Sequence, residues 1–307
     1  MKIMITGACG HIGSYIVENI KKIKKVKEVT LVDNLSSKRY SSLFNLKSKK
    51  KVKINFSDKD ISQKNALNNF KKVDVVIHCA SLTNAEESFN IKKKMFKNNL
   101  NCMKSIIDFC IKKKSKLIHI SSTSVYGKKA KIVKENDRHL LKPQSPYAQI
   151  KLIEEKMLKK KHKRLKYMTF RFGTIAGVSK GIRFHTAVNK FCFNASTNGK
   201  IKVYKTAYNQ YRPYLSIRDA FKVFKFCIEK NIFINETFNA LTGNFTVKQI
   251  LNKIRKNKKK INIQFVNSPI MNQLSYLVDS SKIKKLGLNL NSNIETDIKK
   301  TLDLFNW

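Results

Sequence analysis

The feature that most constrains this chain is its opening stretch, Met1 to Gly13, MKIMITGACGHIG. Lys2 to Thr6 reads as a short apolar strand, and Gly7, Gly10 and Gly13 follow at a spacing of three. Ile12, Tyr15, Ile16, Val17 and Ile20 then recur with helical period. Strand, glycine turn and helix in that order open a βαβ unit. Gly7 would allow the tight turn, Gly10 would let the backbone approach a pyrophosphate, and Gly13 would bring helix against strand. The anion would rest on free N–H groups at the helix N-terminus, where the dipole is positive.

The segments that follow extend this unit. Glu28 to Asp33, EVTLVD, is a second strand ending in an acid twenty residues beyond Gly13. A carboxylate there accepts from the adenosine ribose hydroxyls and repels a 2′-phosphate, which predicts NAD rather than NADP. Val52 to Phe56 makes a third strand. Asp58 and Asp60 come next, then a helical run through Ala66, Leu67 and Phe70. Asp60 reads either as an acceptor for the adenine amino group or as the N-cap of that helix. Val73 to Cys79 is continuously apolar, as expected of a parallel strand buried on both faces, with His78 packed inside it. Ala80 and Ser81 end it at the carboxyl edge, where open α/β sheets bind ligands. A Lys-rich helix runs into Asn98 to Ile111, and Lys116 to Ser121 is the fifth strand.

Composition narrows the class. The 307 residues, 42% of them hydrophobic, suffice for one large α/β domain or two smaller ones. No run of about twenty apolar residues occurs, and no charged leader with an apolar segment and cleavage site precedes the first strand. The expectation is a cytoplasmic protein with no membrane partner. Cys9, Cys79, Cys102, Cys110, Cys192 and Cys227 have no CxxC spacing and read as reduced thiols with no metal site. The formal charge of +44 comes from lysines spread along the whole chain, in no arm or stripe and not interleaved with aromatics. It reads as the imprint of an AT-rich genome rather than a nucleic-acid surface. Such a field still gathers a doubly negative substrate.

The chemistry centres on two stretches. The fifth strand runs into Ser121, Ser122, Thr123, Ser124, Val125, Tyr126 and Gly127. Further on, Pro146 opens a helix in which Tyr147 and Lys151, four apart, share one face. A free tyrosine, with a pKa of about 10, is a poor base near neutrality. An ammonium one turn away favours the phenolate and is expected to bring it toward the working range. A hydroxyl from the strand end, Ser122, would bond the substrate oxygen whose proton Tyr147 takes.

These pieces, together with Asn99 in KNNLNCM, RFGTIAG, YRPYLSIRDA and the tail VDSSKIKKLG, arrive in one order along nearly the whole chain. In that order they resemble an extended short-chain dehydrogenase/reductase of the NAD-dependent epimerase/dehydratase family, which acts on nucleotide-diphosphate sugars. The resemblance implies an α/β, Rossmann-type doubly wound parallel sheet with a smaller C-terminal substrate domain. Residues 1–174 would form the NAD-binding part, with 205–243 returning to it, and 175–204 with 244–307 the substrate part. Around Tyr214 to Asp219 and Thr237 to Ala240 the chain would return to the main sheet.

It also implies site residues. Gly7, Gly10, His11, Ile12, Gly13, Asp33, Asn34, Asp60, Ile61, Ala80, Ser81 and Asn99 would bind NAD together with Tyr147 and Lys151. Ser122, Tyr147 and Lys151 would be the catalytic triad. Thr83, Ser122, Thr123, Tyr147, Thr174, Asn189, Val203 and Arg212 would face the substrate, with Arg212 gripping the diphosphate, a bidentate task suited to guanidinium. The family's RxxN motif appears here as Arg171 to Thr174, without its Asn. Asn189 would replace that contact or sit on a helix surface. Ile201 to Tyr204 would bond the nucleotide base through backbone, leaving the base unspecified. Family dehydratases place an Asp-Glu pair after the triad hydroxyl; Thr123 and Ser124 stand there, which disfavours 4,6-dehydration.

The expected function is NAD-dependent epimerisation of a nucleotide-diphosphate sugar at C4. The alternatives are a reductase or dehydrogenase with exchangeable cofactor and a non-catalytic basic nucleotide-binding protein. A homodimer would pair through the Tyr147 helix, which continues as Lys159, Lys160, Lys161, His162 and Lys163 and would set those charges against each other across the dimer axis unless they splay outward. Met271 to Tyr276, MNQLSY, is distinctive and has no assigned role.

Overall fold

The computed structural model describes residues 1–46, 52–127, 132–267 and 276–305. Its strands in chain order are β1 (Lys2–Thr6), β2 (Glu28–Asp33), β3 (Lys53–Asp58), β4 (Val75–His78), β5 (Lys116–Ser122), β6 (Ile132–Val133), β7 (Tyr167–Phe172), β8 (Thr174–Ala176), β9 (Lys200–Tyr204), β10 (Tyr211–Ser216), β11 (Glu236–Ala240), β12 (Gly243–Thr246), β13 (Asn262–Val266) and β14 (Leu277–Val278). The helices are α1 (His11–Asn19), α2 (Lys92–Lys113), α3 (Pro146–Lys160), α4 (Ala187–Ser196), α5 (Ile217–Lys230), α6 (Val247–Asn257), α7 (Ser281–Lys285) and α8 (Ile294–Asp303).

Seven strands form one sheet in the order β11-β7-β5-β4-β1-β2-β3, every pairing parallel. Apolar residues occupy both faces of its central strands because helices cover both. Ile3 and Ile5 of β1 pack with α1 and α5 residues such as Ile16, Phe221 and Phe224. Met4, between them, faces the other way, toward Met103 and Ile106 of α2 and Leu158 of α3. The chain order reverses between β2-β1 and β1-β4, which creates the crevice at the carboxyl ends of the strands. The glycine turn opens there. The sheet is the Rossmann-type, doubly wound parallel architecture expected from the sequence.

A second apolar cluster gathers α4, α6 and α8 around Val188, Cys192, Ile250, Ile254 and Ile298. Beside it lie a three-stranded sheet, β12-β10-β8, and the pairs β13-β9 and β14-β6. Neighbouring residues on β8 and β10 belong to different clusters: Ile175 and Leu215 to the main core, Ala176 and Tyr214 to the second.

Several local expectations are corrected. After Asp60 no helix forms; the chain runs through turns to Phe70, with Asn65 at a φ of 62°. Asp60 accepts from the Ser62 N–H at 2.9 Å, an Asx turn that diverts the backbone. Helix α3 ends at Lys160, and the lysines beyond it lie in turns. β11 joins the main sheet, but β10 does not: it pairs with β8 and β12, and the return to the main core is made by Leu215 and by α5 after it. Residues 271–275 of the MNQLSY stretch lie outside the described residues.

Candidate active site

The glycine turn is shaped by contacts that leave no room for side chains. Gly7 has a φ of +66°, and a Cβ there would stand 2.6 Å from the Ala80 amide nitrogen at the end of β4. A Cβ on Gly13 would meet the Gly7 carbonyl at 2.3 Å, so α1 can pack this close only with glycine there. The Ser14 N–H bonds the Gly10 carbonyl at 2.8 Å, and Gly10, at the cap, offers no side chain to the turn before it. The N–H groups of His11, Ile12 and Gly13 are thus left at the mouth of a cavity that these residues line. The His11 imidazole points elsewhere: its Nε2 bonds the Gly177 carbonyl at 2.8 Å, and burial holds its pKa down at about 3.

That carbonyl belongs to the loop after β8, which lies across the turn. Ser179 Oγ bonds the His11 carbonyl at 2.8 Å, and the Gly181 N–H bonds Ser14 Oγ at 2.9 Å. The loop delivers Arg183, which sequence reasoning missed. Its guanidinium donates to Thr83 Oγ1, and its Nη2 stands 3.3 Å from where a Gly10 Cβ would be. Arg183 Nε is buried with no hydrogen-bond partner among the described residues. Burial, with Arg39 nearby, lowers the Arg183 pKa to about 10. A guanidinium over a glycine turn with one buried N–H still to be satisfied is a place for an anion.

Two cavities, of about 750 and 390 Å³, adjoin at Gly10 and Arg183. The smaller is lined by Asp33, Asn34, Asp60, Ile61, Ala80 and Ser81. Asp33 Oδ2 accepts from the Cys9 N–H at 2.9 Å and Oδ1 from the Leu35 N–H at 2.9 Å, which fixes the carboxylate at the cavity edge. Arg39 lines the same space. Asn99 stands one layer back: it accepts from the Leu82 N–H and donates to the Leu82 carbonyl, at 2.9 and 3.0 Å, and shapes the β4 loop rather than the cavity wall. Gly turn, free N–H groups, fixed carboxylate and orphaned guanidinium fit a dinucleotide.

The larger cavity brings together Ser122, Thr123, Tyr147, Lys151, Thr174, Val203 and Arg212, with Thr83 at its border with the smaller. Helix α3 presents Tyr147 because Ser145 caps it, accepting from the Ala148 N–H at 3.2 Å, with Pro146 at its first turn. Lys151 Nζ lies 5.9 Å from the Tyr147 ring centroid, and Ser122 stands beside the phenol. The expected lowering of the phenol's pKa is corrected: burial raises it, against the opposing pull of Lys151. The Lys151 ammonium is already engaged, donating to Glu154 at 2.8 Å.

Asn189 is neither on a helix surface nor at the substrate. It is fully buried, accepts from the Gly177 N–H at 3.1 Å and donates to the Arg183 carbonyl at 3.0 Å, holding the loop that carries Arg183. Arg171 is also structural, forked onto Glu155 at 2.9 and 2.7 Å and bonded to the Tyr126 hydroxyl. Thr123 donates to the Phe172 carbonyl at 3.2 Å, and Ser124 to Ser122 Oγ at 2.8 Å. Tyr276, from the MNQLSY stretch, lines the cavity and bonds the Thr123 carbonyl at 3.1 Å. Burial lowers the pKa of Arg212 at the far wall.

Among known proteins, the chain is 26% identical to the ADP-L-glycero-D-manno-heptose-6-epimerase of Brachyspira hyodysenteriae, over 97% of the chain and 96% of that protein. It is likewise 26% identical, over 99% of its length, to a trifunctional UDP-glucose 4,6-dehydratase/UDP-4-keto-6-deoxy-D-glucose 3,5-epimerase/UDP-4-keto-L-rhamnose-reductase of Arabidopsis thaliana. The chain spans about half the length of that enzyme, 46%. Its fold superposes on the Thermus thermophilus UDP-glucose 4-epimerase in complex with NAD with a TM-score of 0.84, at 20% identity, covering 99% of each chain. Residues 3–240, from the first strand of the main sheet through the glycine turn to β11, match one family throughout, and the chain belongs to the NAD dependent epimerase/dehydratase family.

Proposed function

We propose that this protein epimerises a nucleotide-diphosphate sugar at C4, with NAD held along the glycine turn. The observation that carries the reading is that Tyr147 and Ser122 line the same cavity as the glycine turn and Arg212. Asp33 would receive the adenosine ribose, and the N–H groups of α1, covered by Arg183, the pyrophosphate. When bound, NAD supplies the acceptor and donor of a hydride from the sugar carbon. Ser122 orients the reacting hydroxyl, and Tyr147 removes its proton, keeps it while the keto sugar turns, and returns it to the oxygen on the other face. Arg212 anchors the diphosphate, so the ring turns about a fixed point. Elimination of water needs a separate acid and base, and the Thr123 and Ser124 hydroxyls are neither near neutrality.

The test is incubation with a panel of nucleotide sugars, with products identified by NMR. A 4-epimer formed with no net consumption of cofactor, and lost in Y147F, is the expected result. A 4-keto-6-deoxy product, or stoichiometric oxidation of a reduced cofactor, would overturn the reading.

A further inference from the structure

Behind Tyr147 lies a buried ionic cluster that the chemistry above does not use. Lys151 Nζ and His119 Nε2 meet the same oxygen, Glu154 Oε2, at 2.8 and 2.9 Å. The three side chains are 5, 0 and 1% exposed. Lys151 and Glu154 sit one turn apart on the inner face of α3, and His119 rises from β5 beneath them. A carboxylate can only accept, so Nε2 carries the imidazole proton, and Nδ1 turns to the Thr169 hydroxyl of β7 at 3.3 Å. Register places Thr6, His78, His119 and Thr169 in a row across four adjacent strands, a polar seam through an apolar sheet. Interiors retain such a carboxylate only when it is paired.

We propose that Glu154, oriented by His119, is a positioning residue: it ties down the Lys151 ammonium and opposes its charge, so that Tyr147 faces a neutral pair rather than a free cation. The inference rests on the reading of Tyr147 as the base. The other groups facing this cluster are Arg183 from the loop after β8, His78 and Cys79 at the end of β4, Ser122 at the end of β5 and Cys102 of α2. On the phenol, Lys151 and Arg183 act downward and Glu154 upward; on the ammonium, Glu154 acts upward. Removal of the carboxylate's charge therefore moves the phenol to a lower pKa for as long as the Lys151 ammonium keeps its proton.

Tyrosine labelled with ¹³C at Cζ reads this without any substrate, and Y147F identifies the signal among the ten tyrosines. In E154Q the Tyr147 titration moves toward acid by about one pH unit or more, a tenfold gain in phenolate at a given pH. E154D, which keeps the charge, stays near the wild type. A Tyr147 signal that titrates at the same or a higher pH in E154Q overturns the proposal. Should E154Q fail to fold, thermal melting of K151M and K151M/E154Q decides: the double variant, freed of an uncompensated carboxylate, melts higher, and an equal or lower melting point overturns the pairing. If the titration moves but Y147F retains epimerase activity, the base assignment falls and with it the catalytic meaning of the pairing, while the charge pairing of Glu154 with Lys151 stands.

Discussion

A guanidinium at a cavity wall with one buried N–H lacking a partner among the described residues is poised for an anion, and Arg183 is in that state. R183Q should weaken NAD binding by about 10- to 100-fold, the worth of one or two charged hydrogen bonds, and leave the melting temperature nearly unchanged. R183K should recover only part, since an ammonium cannot fork. Calorimetric titration of cofactor-stripped protein measures both, and unchanged affinity in R183Q would remove Arg183 from the pyrophosphate. Gly7, Gly10, Gly13, Asp33, Tyr147 and Lys151 were legible in the sequence because their chemistry dictates their spacing. Arg183, Glu154 and Tyr276 were not. Each acts through contacts with residues distant in the chain, as Tyr276 does with Thr123 and Arg183 with Thr83, and no local pattern encodes such a meeting. Asn189 misled for the opposite reason: its helix-surface spacing says nothing of the Gly177 loop that buries it.

Elements were read well where periodicity was strong and poorly where turn chemistry competed. The central strands and α3 emerged from their apolar runs and cap, whereas the run after Asp60 has helical spacing yet is broken by an Asx turn and by the left-handed Asn65. The contact between α1 and the turn is rigid, because a methyl at Gly13 would press on backbone rather than on a flexible side chain. G13A should therefore cost about 1–3 kcal/mol in urea unfolding and abolish NAD retention together. Two buried imidazoles, one at the start of α1 and one on β4, have their own signature. His11 and His78 are buried neutral, with pKa values held down at about 3. In the unfolded chain they protonate as the pH falls through about 6.5, so the unfolded state binds the extra protons and stability, complete above that pH, declines toward the folded values. Urea unfolding at about pH 5.5 should show roughly 2–3 kcal/mol less stability than at neutrality, from about 1.4 kcal/mol per histidine per pH unit. A flat profile there would mean that the imidazoles are charged in the fold.

For the molecule as a whole, a net charge of +44 makes electrostatics a matter of capture rather than of fold. The kcat/KM for a nucleotide-diphosphate sugar should fall several-fold as ionic strength rises from about 0.01 to 0.15 M, through slower association, with kcat unchanged. Salt-independent kcat/KM would show that the lysines do not steer substrate. The sequence suggested a division of the chain into a cofactor part and a substrate part, and the apolar clusters cross the proposed bounds: Ile283, Leu288 and Leu290 of the tail pack in the main core, and Ala207 and Tyr214 in the second cluster. What it did not foretell is how β8 and β10 stitch them together. Ile175 and Ala176, and likewise Tyr214 and Leu215, are anchored on opposite sides of the join. Strands so splinted cannot swing apart like jaws without tearing both interiors, so reactants must thread in past the loops at the rim, and calorimetry should record one melting peak in place of two.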